Sequence, residues 1–99
     1  MRLEGKVAIV TGAAGGFGSE IGRIFAREGA SLVLADINHR VAESLANELK
    51  AQGTKAVAVS VDVRDENQVY AMVDRAISEF GQVDILINNA GMGRGARIQ

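Results

Sequence analysis

Short unbroken apolar runs alternate along this chain with longer stretches in which apolar residues return every three or four positions. Val7-Ala8-Ile9-Val10 is the first run, continuous rather than alternating, as a strand covered on both faces requires. Ser31 to Asp36, Lys55 to Val61 and Asp84 to Ile87 repeat it, so four strands are expected. Three helical stretches separate them. Phe17, Ile21, Ile24 and Phe25 share one face of the first, which Gly29 ends. Val41, Leu45 and Leu49 mark the second, with Asn38 as its N-cap and Gly53 as its stop. Val69, Met72, Val73, Ala76, Ile77 and Phe80 form the stripe of the third, opened by Asp65-Glu66 and closed by Gly81.

The order β-α-β-α-β-α-β predicts an α/β fold built on a parallel sheet. Right-handed crossovers put the first two helices on one face and the third on the other, giving strand order 3-2-1-4. A doubly wound sheet of this kind has a topological switch point between strands one and four, where ligands bind. Residues 1–91 are expected to form this domain, and 92–99 a short basic tail without periodicity.

Composition excludes more than it names. Of 99 residues, 47% are hydrophobic and 23% charged, an ordinary globular balance. The net charge of −1, with Lys and Arg scattered, offers no footprint for nucleic acid or an anionic membrane. There is no cysteine, and the single histidine, His39, builds no zinc site alone. No apolar stretch approaches the length of a signal segment or membrane span, so a cytoplasmic location is the default expectation.

The candidate chemistry lies at strand ends. Thr11-Gly12-Ala13-Ala14-Gly15-Gly16-Phe17-Gly18 joins the first strand to the first helix. A backbone free of β-carbons lets amide N–H groups approach phosphate oxygens, and a helix N-terminus adds oriented donors and positive dipole character. Gly12 is expected to allow the tight exit from the strand. Gly16 and Gly18 are expected to permit close approach of a diphosphate and of the helix to the sheet. A Walker-type phosphate loop needs Lys and then Ser or Thr after its last glycine, but Ser19 follows Gly18 directly. The common G-x-G-x-x-G spacing fails too, since Ile21 stands three residues after Gly18. A plain tight turn is the remaining alternative, weakened by four glycines between positions 12 and 18.

Asp36 ends the second strand, about twenty residues past the loop, where a carboxylate accepts both hydroxyls of an adenosine ribose. It would also repel a 2′-phosphate. No basic residue neighbours it directly, and Arg40 reads as a solvated helix residue, which favours NAD over NADP. The alternative for Asp36 is a surface residue capping a turn.

Together these residues resemble the short-chain dehydrogenase/reductase family of NAD(P)-dependent oxidoreductases. Its loop pattern T-G-x-x-x-G-x-G is met by Thr11, Gly12, Gly16 and Gly18. Its second signature, N-N-A-G after strand four, is met by Asn88, Asn89, Ala90 and Gly91. Leu3-Glu4-Gly5-Lys6-Val7 also looks like the family's approach to strand one, so the resemblance covers nearly all of residues 3–91. It implies a partial Rossmann domain that holds NAD. By the same resemblance, Asp62 meets the adenine amino group with the Val63 backbone beside it. Asn88 and Ala90 line the ribose, Gly91 completes that turn, and the Thr11 hydroxyl ties the glycine loop to it. Phe17 stands where the family usually has Ile or Leu, and its backbone N–H remains for the phosphate. Asn88 and Asn89 have a second reading, as partners of buried backbone groups at the strand end.

The family's proton-transfer group is a Tyr tuned by a Lys four residues later, with a Ser to orient substrate. The only tyrosine here is Tyr70, and the residue four later is Asp74, so no catalytic residue is assigned. The chain is therefore expected to be the N-terminal, cofactor-binding part of a longer oxidoreductase and inactive alone. Gly91-Met92-Gly93-Arg94-Gly95 is unlike the family's usual continuation. Strand four would then be an apolar edge, and the face carrying the third helix would be under-covered, so self-association is expected. Two alternatives are a non-catalytic nucleotide-sensing module and a structural unit that binds cofactor weakly.

Overall fold

In a computed structural model, which describes residues 2–89, the chain runs β1 (Val7–Thr11), α1 (Gly16–Arg27), β2 (Ser31–Asp36), α2 (His39–Ala51), β3 (Ala56–Ser60), α3 (Glu66–Phe80) and β4 (Ile85–Asn88). The four strands are parallel and ordered β3-β2-β1-β4, as the crossover rule predicts. Val10 lies opposite Leu34 on one side and Ile87 on the other, which brings the C-terminal ends of β1, β2 and β4 to a common edge.

Alternate strand residues feed two cores, because side chains of a strand point to opposite faces. Ala8, Val10, Leu32 and Leu34 pack with Leu45 and Leu49, under α1 and α2. Ile9, Val33 and Ala35 pack with Val61, Met72 and Ala76, under α3. Continuous apolar runs are thus explained: both faces of β1 and β2 are buried.

The helix faces differ from the expectation. Phe17 is 62% exposed and Ile24 44%, while Gly18 and Gly22 are the fully buried residues of α1. A β-carbon on Gly22 would sit 3.3 Å from the Leu34 side chain, so the helix lies against the sheet through its glycines. Ile21 and Phe25 flank that contact, half-buried. In α2 the same rotation exposes Val41 and buries Ala42 and Ala46 beside Leu45 and Leu49. In α3, Ile77 is exposed where burial was expected, and Met72 and Ala76 are the buried pair. Large residues at helical spacing marked the helices correctly. Small residues set which face touches the sheet.

Strand four was expected over Asp84 to Ile87; it begins at Ile85, with its apolar run, and ends at Asn88. Asp84 locks its entry instead: its backbone N–H donates to the Val7 carbonyl at 2.9 Å, and its Oδ2 accepts from the Val7 N–H at 2.8 Å. Those bonds, the larger contribution from Val7 and a lesser one from Gln82, hold the Asp84 carboxyl below its ordinary range. β3 and β4 form the two sheet edges, and on β4 Leu86 is 53% exposed. Among the described residues no helix is long and apolar enough to cross a membrane. None of their acidic and histidine side chains gather in threes or more as a metal site.

Candidate functional site

The site is built at the C-terminal edge of the sheet, where β1 gives way to the glycine loop. Gly12 takes φ of +67°, a left-handed turn that L side chains resist. Its carbonyl is then caught from two sides: the Gly15 N–H donates to it at 3.1 Å and the Asn89 side-chain amide at 3.3 Å. Gly18 packs directly on this knot, and a β-carbon there would overlap the Gly12 carbonyl and crowd Asn89 Nδ2. Gly18 is thus demanded by packing. Gly16 is not, since a β-carbon on it meets nothing within 4 Å. The open space above Gly16 is a cradle that any side chain would fill.

The first turn of α1 faces that cradle. The first N–H groups of a helix have no partner within it. At α1 the N-cap is Gly15, which supplies no side-chain hydrogen bond, and no acidic residue stands in the first turn. The amides of Gly16, Phe17 and Gly18 therefore meet whatever lies in front of the helix, with the positive end of the dipole behind them.

Asp36, at the end of β2, has both oxygens fixed. Oδ2 accepts from the Ala14 N–H at 2.9 Å, and Oδ1 accepts from the Asn38 N–H at 2.8 Å. An ionised carboxylate offers about four acceptor positions, so capacity for further hydroxyl donors remains. On the other side of β1, the Thr11 hydroxyl lies 3.3 Å from the Ile87 carbonyl and 3.1 Å from Asn88 Oδ1, joining β1 to the Asn88-Asn89 turn. Among the described residues, Thr11 is the one buried polar residue of the core.

The structure thus gathers Thr11, Gly12, Gly18, Asn88 and Asn89 around one knot, with Gly16 and Phe17 at its open mouth and Asp36 bound to the same loop through Ala14. Asp62 and Val63 stand apart, beyond the end of β3. The Asp62 carboxylate receives the Arg64 side chain at 3.0 and 2.9 Å and the Arg64 N–H at 3.0 Å. Arg64's side chain, and then its main-chain bond, hold Asp62 ionised with a pKa near 2. The Asp62 N–H donates to Gln68 at 2.8 Å, which fastens this turn to α3. Val63 leans on the core beneath α3. Ala90 and Gly91, also expected at the site, lie outside the described residues, as do 92–99. Ala14, Arg64 and Gln68 were not anticipated. Only Arg64 left a sequence signal, standing two residues after an Asp where Asx-type turns form.

A parallel sheet with this switch point and loop defines a Rossmann-like nucleotide-binding fold. Residues 6–99 match the family model for short chain dehydrogenases, and the chain belongs to that family. It is 47% identical over 93 residues to the 7alpha-hydroxysteroid dehydrogenase of Escherichia coli (strain K12), covering 94% of this chain and 36% of that protein. The crystal structure of a hydroxysteroid dehydrogenase from Escherichia coli superposes with a TM-score of 0.88 at 48% identity, over 91% of this chain and 38% of the other. A short chain dehydrogenase/reductase from Burkholderia phymatum, solved in complex with NAD, superposes with a TM-score of 0.83 at 37% identity, over 87% and 31%. The chain spans little more than a third of the length of the relatives it matches.

Proposed function

We propose that this chain binds NAD(H) across the C-terminal ends of β1, β2 and β4, as the cofactor-binding part of an oxidoreductase that interconverts alcohols and carbonyls. The observation that carries the proposal is the start of α1: an uncapped helix end facing an open glycine cradle, with a fixed carboxylate one strand away. In this reading the Gly16, Phe17 and Gly18 amides take the diphosphate and Asp36 takes the adenosine ribose hydroxyls. The Asp62 carboxylate and the Val63 backbone take the adenine amino group. Thr11 and Gly12 hold the loop, while Asn88, with Ala90 and Gly91, walls the ribose. When bound, the nicotinamide supplies the hydride chemistry. The chain's own residues bind and orient, and none exchanges the substrate proton, since Tyr70 is exposed on α3 with Asp74 four residues on. That the Burkholderia phymatum relative was solved with NAD supports the choice of ligand.

Asp36 makes NAD the preferred form, because a 2′-phosphate would bring negative charge against a carboxylate already held in place. Titration with NADH and NADPH tests the proposal. Saturable NADH binding, with NADPH at least about tenfold weaker (roughly 1.4 kcal/mol), is expected. No binding of either at millimolar concentration would leave only a structural unit. Pairing with a second copy through β4 is the reading for the edge strand, carried by the exposed Leu86. Sedimentation should show dimers that Leu86→Lys disperses, and a clean monomer at high concentration would contradict it.

A further inference from the structure

The Asp36 carboxylate stands in a place that ribose recognition alone does not require. Its Oδ2 accepts the N–H of Ala14, in the middle of the glycine loop and 22 residues back along the chain. Its Oδ1 accepts the N–H of Asn38, whose own side chain caps α2 by accepting from Val41. One side chain thereby joins the loop, the end of β2 and the start of α2.

The other loop amides are tied by main chain: Ala13 N–H to the Ala35 carbonyl at 3.1 Å and Gly15 N–H to the Gly12 carbonyl at 3.1 Å. Ala14 is the loop amide held by a side chain. Two residues further on begin the amides that face the cradle, with Gly15 between them and Ala14. Loosening Ala14 releases the segment that sets the aim of Gly16, Phe17 and Gly18, since a loop is only as ordered as its fixed points.

We infer that Asp36 is a positioning residue for the diphosphate site as well as the ribose-binding group, so that the two halves of cofactor recognition are coupled through the Ala14 amide. This rests on the nucleotide-binding reading above. The consequence is specific: replacing Asp36 weakens ligands that have no ribose at all. Charge alone predicts the reverse, because removing a carboxylate near an anion site strengthens anion binding.

The experiment compares Asp36→Asn with Asp36→Ala in the full 99-residue chain. Both variants lose the same charge, and only Asn keeps an acceptor for Ala14. Amide exchange in the ligand-free protein reads the clamp, and inorganic pyrophosphate and NADH titrations read its effect. Ala14 exchange should be roughly tenfold or more faster in Asp36→Ala than in the native chain, with Asp36→Asn between them. Pyrophosphate should bind several-fold more weakly to Asp36→Ala than to Asp36→Asn. Should Asp36→Ala fail to fold, Asp36→Asn against the native chain still decides, through its faster Ala14 exchange. Unchanged Ala14 exchange and equal pyrophosphate affinity in both variants, with NADH binding weakened, would overturn the coupling and leave the nucleotide-binding reading intact. A native chain that bound neither NADH nor pyrophosphate would overturn both.

Discussion

The helices α1 and α3 both begin at the C-terminal edge of the sheet, and they treat their first N–H groups in opposite ways. At α3, Asp65 accepts from Asn67 at 3.0 Å and from Gln68 at 3.4 Å, and Glu66 adds negative charge in the first turn. At α1, Gly15 offers no side chain and the first turn holds no acid. A cap of the α3 kind stabilises a helix by about 0.5–2 kcal/mol. Its absence at α1 coincides with the open cradle above Gly16 and with a loop fixed by Asp36. One helix end is closed by the protein itself, the other is left open.

The sharpest way to probe that contrast is within α1. Gly18→Ala drives a β-carbon into the Gly12 carbonyl and is expected to cost about 1–3 kcal/mol of stability and abolish NADH binding. Gly16→Ala enters open space, so denaturant unfolding should show equal or slightly higher stability, while NADH affinity falls. Equal loss of stability in both variants would break the distinction between a packed glycine and a cradle glycine.

A cap exchange is the next largest effect. Gly15 has extended backbone angles, φ −78° and ψ 162°, that suit an N-cap side chain. Gly15→Asp should stabilise the fold by up to about 1 kcal/mol and suppress NADH binding by occupying the first-turn amides. Asp65→Ala should do the converse, losing about 0.5–2 kcal/mol with NADH affinity retained. Thermal unfolding paired with NADH titration checks both.

The smallest effect concerns Asp62. Its carboxyl sits at about 2 because Arg64 bonds to the charged form. A depressed pKa contributes stability that is complete above the ordinary value of 3.8 and is lost as pH falls toward 2. The pair therefore stays charged from pH 5 to 8, and the proposed contribution of Asp62 to NADH affinity should be flat across that range. Arg64→Ala should raise the Asp62 midpoint toward 3.8, followed by carboxyl NMR titration, with little change in NADH affinity.

The strands, their order and the glycine loop were legible because long apolar runs and positioned glycines are one-dimensional signals. Helix orientation was not, because Gly22, Ala42 and Ala46 carry the close contacts while Phe17 and Val41 are exposed. A count of large apolar residues cannot register a contact made by a missing side chain. The contact of Asp36 with the glycine loop was hidden for another reason. Its bond to Ala14 follows from the pairing of Thr11 with Ala35 across β1 and β2, which only the folded sheet supplies. Asp84 was read as strand and proved to be the fastening of β4 to Val7 for the same reason.

The central claim is that the open end of α1, and not the closed end of α3, receives the cofactor. Amide NMR of the native chain during NADH titration tests it most directly. The largest shifts are predicted at Gly16, Phe17, Gly18 and the Asp36-Ile37 junction, with Asn67 and Gln68 at the start of α3 nearly still. Saturable shifts that begin at Asn67 and Gln68 and spare the α1 amides would contradict it.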